Sequence, residues 1–253
     1  MTASVGRNSI RPIAYMVLAG CLMMLMGCSE VFTRARASRE EGLSLYSKKA
    51  YSEAAGAFRN AIRQEPRDYE SQYWLGVCYD HMELHQQAFS QYRAATDILP
   101  ATYGGRNDPE FRHRIYDGYA ASVAKYDNRD VEVEALIRRA QETQRADEWI
   151  VLAKTYRLRG DADSAIDAYR RATNYAANDF YIRKEYGLYL LNTLHQKQAG
   201  EYQLALAYHI DPNDEEVVAA LRKLGALPKA YAPPGQQAPR GSGMEGTVSM
   251  PRD

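Results

Sequence analysis

The sequence has few cysteines and no excess of charge of either sign. Three cysteines in 253 residues are too few to build a disulfide framework. Lysine and arginine together number 32, as do aspartate and glutamate, so the formal net charge is zero. Without a basic excess the composition does not favour nucleic acid as a partner, and without an acidic block it does not favour a solvating tail.

Long apolar runs are also missing, with one exception near the N-terminus. Mean hydropathy is −0.54, yet residues 16–30, MVLAGCLMMLMGCSE, are almost wholly apolar. The uncharged segment 12–29 follows Arg7 and Arg11 and has 18 residues, which is short for a transmembrane helix of about 20. A basic start, an apolar run and small residues at its end are typical of a cleaved secretory signal. We therefore predict a signal peptide that is removed, with an uncleaved anchor as the alternative.

Two tetrapeptides in this run end in cysteine, LAGC at 18–21 and LMGC at 25–28. Both resemble the lipobox of bacterial lipoproteins, in which the cysteine is acylated and becomes the mature N-terminus. Use of Cys28 leaves an apolar segment of 13 residues, whereas use of Cys21 leaves six, below the usual length of about 7–15. We predict Cys28 as the lipidation site, after a signal peptide of residues 1–27, and keep Cys21 as the alternative.

The lipobox resemblance also implies a location. It predicts a short lipid-anchored linker at 28–34 in a bacterial cell envelope, and Ser29, which is not aspartate, favours the outer membrane. With or without cleavage, Arg7 and Arg11 stay on the cytoplasmic side. We therefore expect the residues that follow to face the periplasm or the exterior.

Candidate catalytic or metal-binding groups are sparse. Cys78 lies in the apolar stretch YWLGVCY, which predicts a packed thiol and not a nucleophile. His81 and His85 in HMELH have an i, i+4 spacing that could share a metal, but Glu83 does not stand where the zinc-protease motif needs it. The glycines at 103–108, YGGRND, have no lysine after them and no strand pattern before them. We predict solvated turn histidines, no metal, no cofactor, no small-molecule substrate and no enzymatic activity.

Internal repetition with a period of 34 residues is the strongest pattern in the chain. Small residues and prolines recur at this distance: Gly42 and Gly76, Ala54 and Ala88, Ala61 and Ala95, Pro66 and Pro100, Ala153 and Gly187, Ala165 and Ala199. Gly76 and Ala153 are 77 apart, which is two periods plus nine. One further unit therefore lies between them, and the turn-rich segment 101–109 supplies the extra residues.

The stretches 75–100 and 152–177, the second preceded by Trp149, resemble the tetratricopeptide repeat (TPR). The resemblance implies an all-α fold, a right-handed α-solenoid of stacked helical hairpins in which the small residues mark close helix crossings. We find no small residue in phase in the middle unit. The predicted solenoid covers 35–225, as units 35–68, 69–102, a degenerate 110–145, 146–179 and 180–213, followed by a capping helix at 214–225. The Pro- and Gly-rich tail, 226–253, is predicted to be disordered.

In the TPR family the first helices line a concave groove that binds an extended peptide or a partner's helix. The mixture of aromatic, aliphatic and basic groups in the corresponding positions suits a peptide with apolar side chains and a carboxylate. Leu43 and Val77 stand where the family's chaperone-binding clamp needs asparagine, so that clamp is not expected. Carried over by position, the groove comprises Arg39, Leu43, Tyr46, Tyr73, Val77, Asp80, His81, Ile150, Lys154, Arg157, Lys184, Leu188 and Leu191.

These features together predict a non-catalytic, membrane-anchored scaffold for protein–protein interaction. The chain is similar to the TPR lipoproteins of tight-adherence (Flp) and type IV pilus assembly, which share a lipobox and 34-residue units. Envelope, pilus or secretion machinery is therefore the expected setting. Two alternatives stay open: an outer-membrane-protein assembly factor, and an accessory cell-wall enzyme.

Overall fold

A computed structural model describes residues 33–99, 109–126 and 129–227, and in these ranges the chain is helical and contains no strand. The predicted all-α fold is confirmed. The signal peptide, Cys21, Cys28 and most of the C-terminal tail lie outside the described residues. The helices are α1 (33–47), α2 (Tyr51–Gln64), α3 (Tyr69–His81), α4 (His85–Ile98), α5 (Pro109–Lys125), α6 (Arg129–Thr143), α7 (Ala146–Arg159), α8 (Ala162–Tyr175), α9 (Phe180–Leu188), α10 (Lys197–Ile210) and α11 (Glu215–Leu224).

The chain divides into two compact units, the first ending at Tyr175 and the second beginning at Ala176. In the first unit the helices pack in chain order, each against the next, and α5 also lies against α7. In the second unit α10 packs against both α9 and α11. Helical hairpins stacked in sequence order are the arrangement that a solenoid requires, because one hairpin cannot bury its apolar face alone. Among the described helices, none is both long and apolar enough to cross a bilayer.

Aspartates begin several of the helices that open a hairpin. Asp68, Asp179 and Asp214 accept hydrogen bonds from the backbone N–H groups of Ser71, Ile182 and Val217, at 3.1, 3.1 and 2.9 Å. Each aspartate satisfies a backbone donor that has no partner within the helix. The capping residues thereby fix where α3, α9 and α11 begin.

Glycines mark the points where two helices come closest, as the repeat pattern predicts. A Cβ built at Gly42 would lie 2.7 Å from the ring of Phe58, and one at Gly187 would lie 2.7 Å from Leu204 Cγ. The alanines of the second helices at these levels, Ala54, Ala88 and Ala165, are fully buried. Large side chains from one helix therefore occupy the space that glycine leaves free on the other.

A pair of glycine substitutions tests this packing. Gly42→Ala is expected to lower the free energy of unfolding by about 1–2 kcal/mol, because overpacking of about 1–3 kcal/mol outweighs the gain in helix propensity. Gly56→Ala, in the same hairpin, is the matched control: a Cβ there meets nothing within 4 Å, so we expect stabilisation by up to about 1 kcal/mol. Chemical denaturation measures both, and equal effects of the two substitutions would contradict the packing.

The middle repeat does contain a small residue in phase, which corrects the expectation from sequence. A Cβ built at Gly118 in α5 would lie 2.6 Å from the Tyr92 ring, and one at Gly76 would lie 2.9 Å from the same ring. Gly118 lies 42 residues after Gly76 and 35 before Ala153. Eight of the nine extra residues therefore precede it and one follows, so a strict period of 34 misses it.

The last repeat contains a π-helical turn, Tyr189–Thr193, that follows α9 directly. Such a turn adds one residue to a helix. As a result Ala199, which the period of 34 places at the helix crossing, is exposed. Its neighbour Gly200 takes that place, where a Cβ would lie 3.0 Å from the carbonyl oxygen of Gly187. The predicted single insertion is therefore located before residue 199.

Candidate functional site

The predicted groove residues fall in both compact units, and the two sets are described separately. Ten lie in the first unit, on α1, α3 and α7: Arg39, Leu43, Tyr46, Tyr73, Val77, Asp80, His81, Ile150, Lys154 and Arg157. Three lie in the second unit, in α9 and the π-helical turn: Lys184, Leu188 and Leu191.

Ile150 and Lys154 are buried, which corrects their assignment to an open groove. Their exposed fractions are 0% and 1%. The ammonium of Lys154 lies 2.7 Å from the Asp117 carboxylate of α5. The reason is that α5 packs directly against α7 and covers the side of α7 that the family pattern leaves open. Neither side chain offers a surface to a partner.

Arg39 is engaged within the protein. Its guanidinium lies 2.8 Å from the Asp68 carboxylate and 3.3 Å from that of Glu70. Asp68 is also the cap of α3. Arg39 therefore fastens α1 to the start of α3, and a ligand carboxylate would have to compete with two existing partners.

Asp80 joins three helices. Its carboxylate accepts hydrogen bonds from the hydroxyls of Tyr92 at 3.0 Å and Ser122 at 2.8 Å, and lies 3.1 Å from His85 Nδ1. Burial, and after it the charge of Asp80, raise the pKa of Tyr92 well above its usual value. Asp80 is therefore a structural acceptor shared by α3, α4 and α5.

The two histidines of HMELH face different partners. His81 stacks on Tyr51 with ring centroids 4.2 Å apart, and its Nε2 lies 3.2 Å from the Tyr46 hydroxyl. His85 faces Asp80. Within the described ranges no group of three or more His, Cys, Asp or Glu side chains is placed to hold a metal ion.

The three groove residues of the second unit hold that unit together. Lys184 forms ion pairs with Asp214 at 2.8 Å and Glu216 at 2.9 Å. Burial lowers the pKa of Lys184, but the hydrogen bonds to these two carboxylates outweigh it, and the pKa is raised. Leu188 and Leu191 pack against the core of α10 and α11. These contacts join α9 to α11.

The surface that remains is an aromatic strip, defined here as Tyr46, Trp74, Tyr73 and Phe111. Ring centroids along it are 5.1, 5.2 and 4.9 Å apart, so the strip crosses from α1 over α3 to α5. All but Phe111 are half-buried. Val77 lies one helical turn beyond Tyr73, on the same side of α3. The strip gives this face an apolar surface with exposed ring area.

An exposed cation stands beside the strip. The Arg114 guanidinium lies 4.7 Å from the centroid of the Phe111 ring. Burial raises the pKa of Tyr73, and the charge of Arg114 opposes that rise, which places the cation close to both rings. The sequence did not identify Trp74, Phe111 or Arg114. The last two begin the helix after the insertion, where the register is hidden.

Cys78 is fully buried, as the apolar stretch around it predicts. Burial raises the pKa of its thiol to about 11. In a Cys21→Ser, Cys28→Ser background we expect the folded chain to resist a thiol reagent near pH 8, since only the thiolate reacts, and to react fully once denatured. Rapid labelling of the folded chain at that pH would contradict the burial.

The same thiol makes stability depend on pH. Because the folded pKa exceeds the unfolded one, the thiol's contribution to the free energy of unfolding is complete below about pH 8.5. It is lost as the pH rises toward about 11. Cys78→Ala, compared with its parent across that interval, should remove this part of the pH dependence.

No protein-family model matches the sequence, and no curated protein does. Among solved structures, the chain is similar to TTC0263, a thermophilic TPR protein of Thermus thermophilus, with 18% identity, 76% of this chain and all of that chain covered, and a TM-score of 0.45. It is similar to PilF of Pseudomonas aeruginosa, with 14% identity, coverage of 78% and 85%, and a TM-score of 0.41.

A third similar structure is PilW, described as a widely conserved type IV pilus biogenesis factor. Its identity is 17%, the coverage is 74% of this chain and 98% of that chain, and the TM-score is 0.35. These similar structures are thus TPR or pilus-biogenesis proteins. At such identities and scores, their functions are not transferred to this chain.

Proposed function

We propose that this protein is a non-catalytic scaffold, tethered to a membrane by lipid on Cys28, that binds a peptide or helical segment of a partner protein. The observation that carries the proposal is the aromatic strip across α1, α3 and α5 with Arg114 beside it. We infer that the partner belongs to envelope, pilus or secretion machinery, on the strength of the lipobox and TPR resemblances.

The chemistry of this face supports a peptide ligand. Aromatic rings provide a large contact area at a small cost in side-chain entropy. An arginine held over a ring presents a planar set of donors that suits a carboxylate. A segment with apolar side chains and one acidic group therefore fits the strip, and the second unit contributes no residue to this site.

Site-specific photocrosslinking in cells tests the proposal. A photoreactive amino acid in place of Arg114 is expected to give a crosslinked partner of discrete mass. The matched control is the same group in place of Arg138, which is exposed on α6. Adding Val77→Glu, which places a charge on the strip's side of α3, should abolish the adduct.

The crosslinking result has two ways to contradict the proposal. Identical adducts from positions 114 and 138 would mean that this face has no specific partner. A partner that resides only in the cytoplasm would mean that the expected side of the membrane is wrong.

The lipid anchor is tested separately by cell fractionation. Cys28→Ser should release the protein from membranes, since acyl chains supply the attachment at about 0.8 kcal/mol per buried methylene. Cys21→Ser is the control and should leave the protein with the membranes. Membrane residence unchanged by Cys28→Ser would instead support Cys21 or an uncleaved span.

A further inference from the structure

A second candidate site lies on the other side of α3. Residues of α2, α3 and α4 line a cleft of about 530 Å³, with Ile62, Leu75 and Tyr79 as an apolar floor. Leu75 and Tyr79 are each two residues from the strip positions Tyr73 and Val77, so they project from the opposite side of the helix. The cleft is therefore separate from the aromatic strip.

The rim of this cleft is basic. Arg59 and Arg63 stand on it, and none of its lining residues carries a carboxylate. Both arginines are exposed, and Arg63 donates a hydrogen bond to the neighbouring Asn60. Two guanidinium groups at the edge of an apolar floor favour a ligand with carboxylates next to an apolar side chain.

The corresponding cleft later in the chain has a different charge. There Leu152 and Tyr156, each 77 residues after Leu75 and Tyr79, again form the floor. Asp163 and Asp167 line that cleft, and Arg171 lies over the Trp149 ring at 4.8 Å. The purely basic rim is thus a property of the cleft between α2 and α4, and not of the repeat.

Gly56 gives the cleft additional room. A Cβ at this position would meet nothing within 4 Å, so no helix packing accounts for a glycine inside α2. Glycine in a helix interior costs about 1 kcal/mol relative to alanine. What it provides here is space at the cleft wall, where the backbone of a bound segment can approach closely.

We propose that this cleft binds an acidic segment of a partner protein. An apolar side chain of the segment packs on Leu75 and Tyr79, and its carboxylates pair with Arg59 and Arg63. This site goes beyond the proposed function, since it uses neither the aromatic strip nor Arg114. A membrane surface is a poorer fit because Leu75 is only 3% exposed, so a flat bilayer does not reach the floor.

Selection with a displayed library of short random peptides, on the full chain in detergent, tests the assignment. Enriched peptides are expected to combine carboxylates with an aromatic or aliphatic residue. For synthetic copies of them, the Arg59→Glu, Arg63→Glu double variant should weaken binding by on the order of tenfold or more. Added salt should weaken it as well.

Two further variants separate binding from folding. Gly56→Leu should keep or raise stability, since leucine is a better helix former, yet fill the cleft and reduce binding to a similar degree. Arg170→Glu, an exposed charge reversal on α8, is the control and should leave binding unchanged.

Three results would overturn the proposal. The first is a selection without acidic–apolar peptides, and the second is equal loss of binding in the Arg59→Glu, Arg63→Glu and Arg170→Glu variants. The third is displacement of the peptides by vesicles that contain phosphatidylglycerol. Peptides whose binding responds to Val77→Glu alone would support the aromatic strip and reject this cleft, so the two sites are tested independently.

Discussion

Replacing Tyr92 with alanine is expected to lower the free energy of unfolding by about 3–5 kcal/mol, the range for removal of a large buried aromatic side chain. The Tyr92 ring is 2% exposed and lies against Gly76 of α3 and Gly118 of α5. Its loss opens a cavity that these helices do not close without breaking other contacts. Denaturant titration followed by circular dichroism measures the change.

A double-mutant cycle shows whether the ring and the glycine compete for the same space. Gly118→Ala alone should destabilise the chain, because the added carbon would lie 2.6 Å from Tyr92 Cζ. In a Tyr92→Ala background the clash is gone, and the same substitution should stabilise by up to about 1 kcal/mol through helix propensity.

The control for this cycle is Tyr202→Ala on α10. That side chain is 62% exposed, so its removal should change stability by no more than about 0.5 kcal/mol. Additive effects of Tyr92→Ala and Gly118→Ala would refute the shared packing, because substitutions that do not touch add within a few tenths of a kcal/mol.

Asp80→Ala is expected to cost about 2–3 kcal/mol, because it removes the acceptor of a buried hydroxyl. Tyr92 donates to this carboxylate at 3.0 Å. Ser122 also donates to it, but its hydroxyl lies 2.8 Å from the Gly118 carbonyl oxygen as well and keeps a partner there. The main cost therefore falls on Tyr92.

Removing both partners should cost less than the sum of the two single losses. Tyr92→Phe added to Asp80→Ala is expected to change stability little, since no unsatisfied donor is left. Asp167→Ala is the control, because that carboxylate is 59% exposed and pairs with Arg171 one helical turn away. Such exposed pairs contribute at most about 1 kcal/mol. Equal losses from Asp80→Ala and Asp167→Ala would show that Asp80 is not the shared acceptor.

The fold class was readable from the sequence because small residues have a direct physical reason to recur. Gly42 and Gly187 lie where helices cross closely, as the spacing indicates. The spacing failed where the chain length changes, at Gly118 after the insertion and at Gly200 after the π-helical turn. A strict period does not show where an extra residue is inserted.

The candidate site was predicted less well, because exposure and ion pairing depend on neighbours from other helices. Lys154 follows the family pattern in sequence, yet α5 covers it and supplies Asp117 as its partner. Arg39 and Lys184 likewise pair with carboxylates about thirty residues away in the chain. Tyr46 and Tyr73 belong to the aromatic strip, but Arg114 becomes visible only once α5 is placed beside α3.

The π-helical turn at Tyr189–Thr193 also bears on how such a chain tolerates changes in length. Asp179 and Asp214, which cap α9 and α11, are 35 residues apart and not 34. One helical turn thus absorbs the surplus residue, and the cap that follows still meets its helix. Insertions in an array of this kind can persist through evolution without a compensating deletion, because the phase error ends within the repeat where it arose.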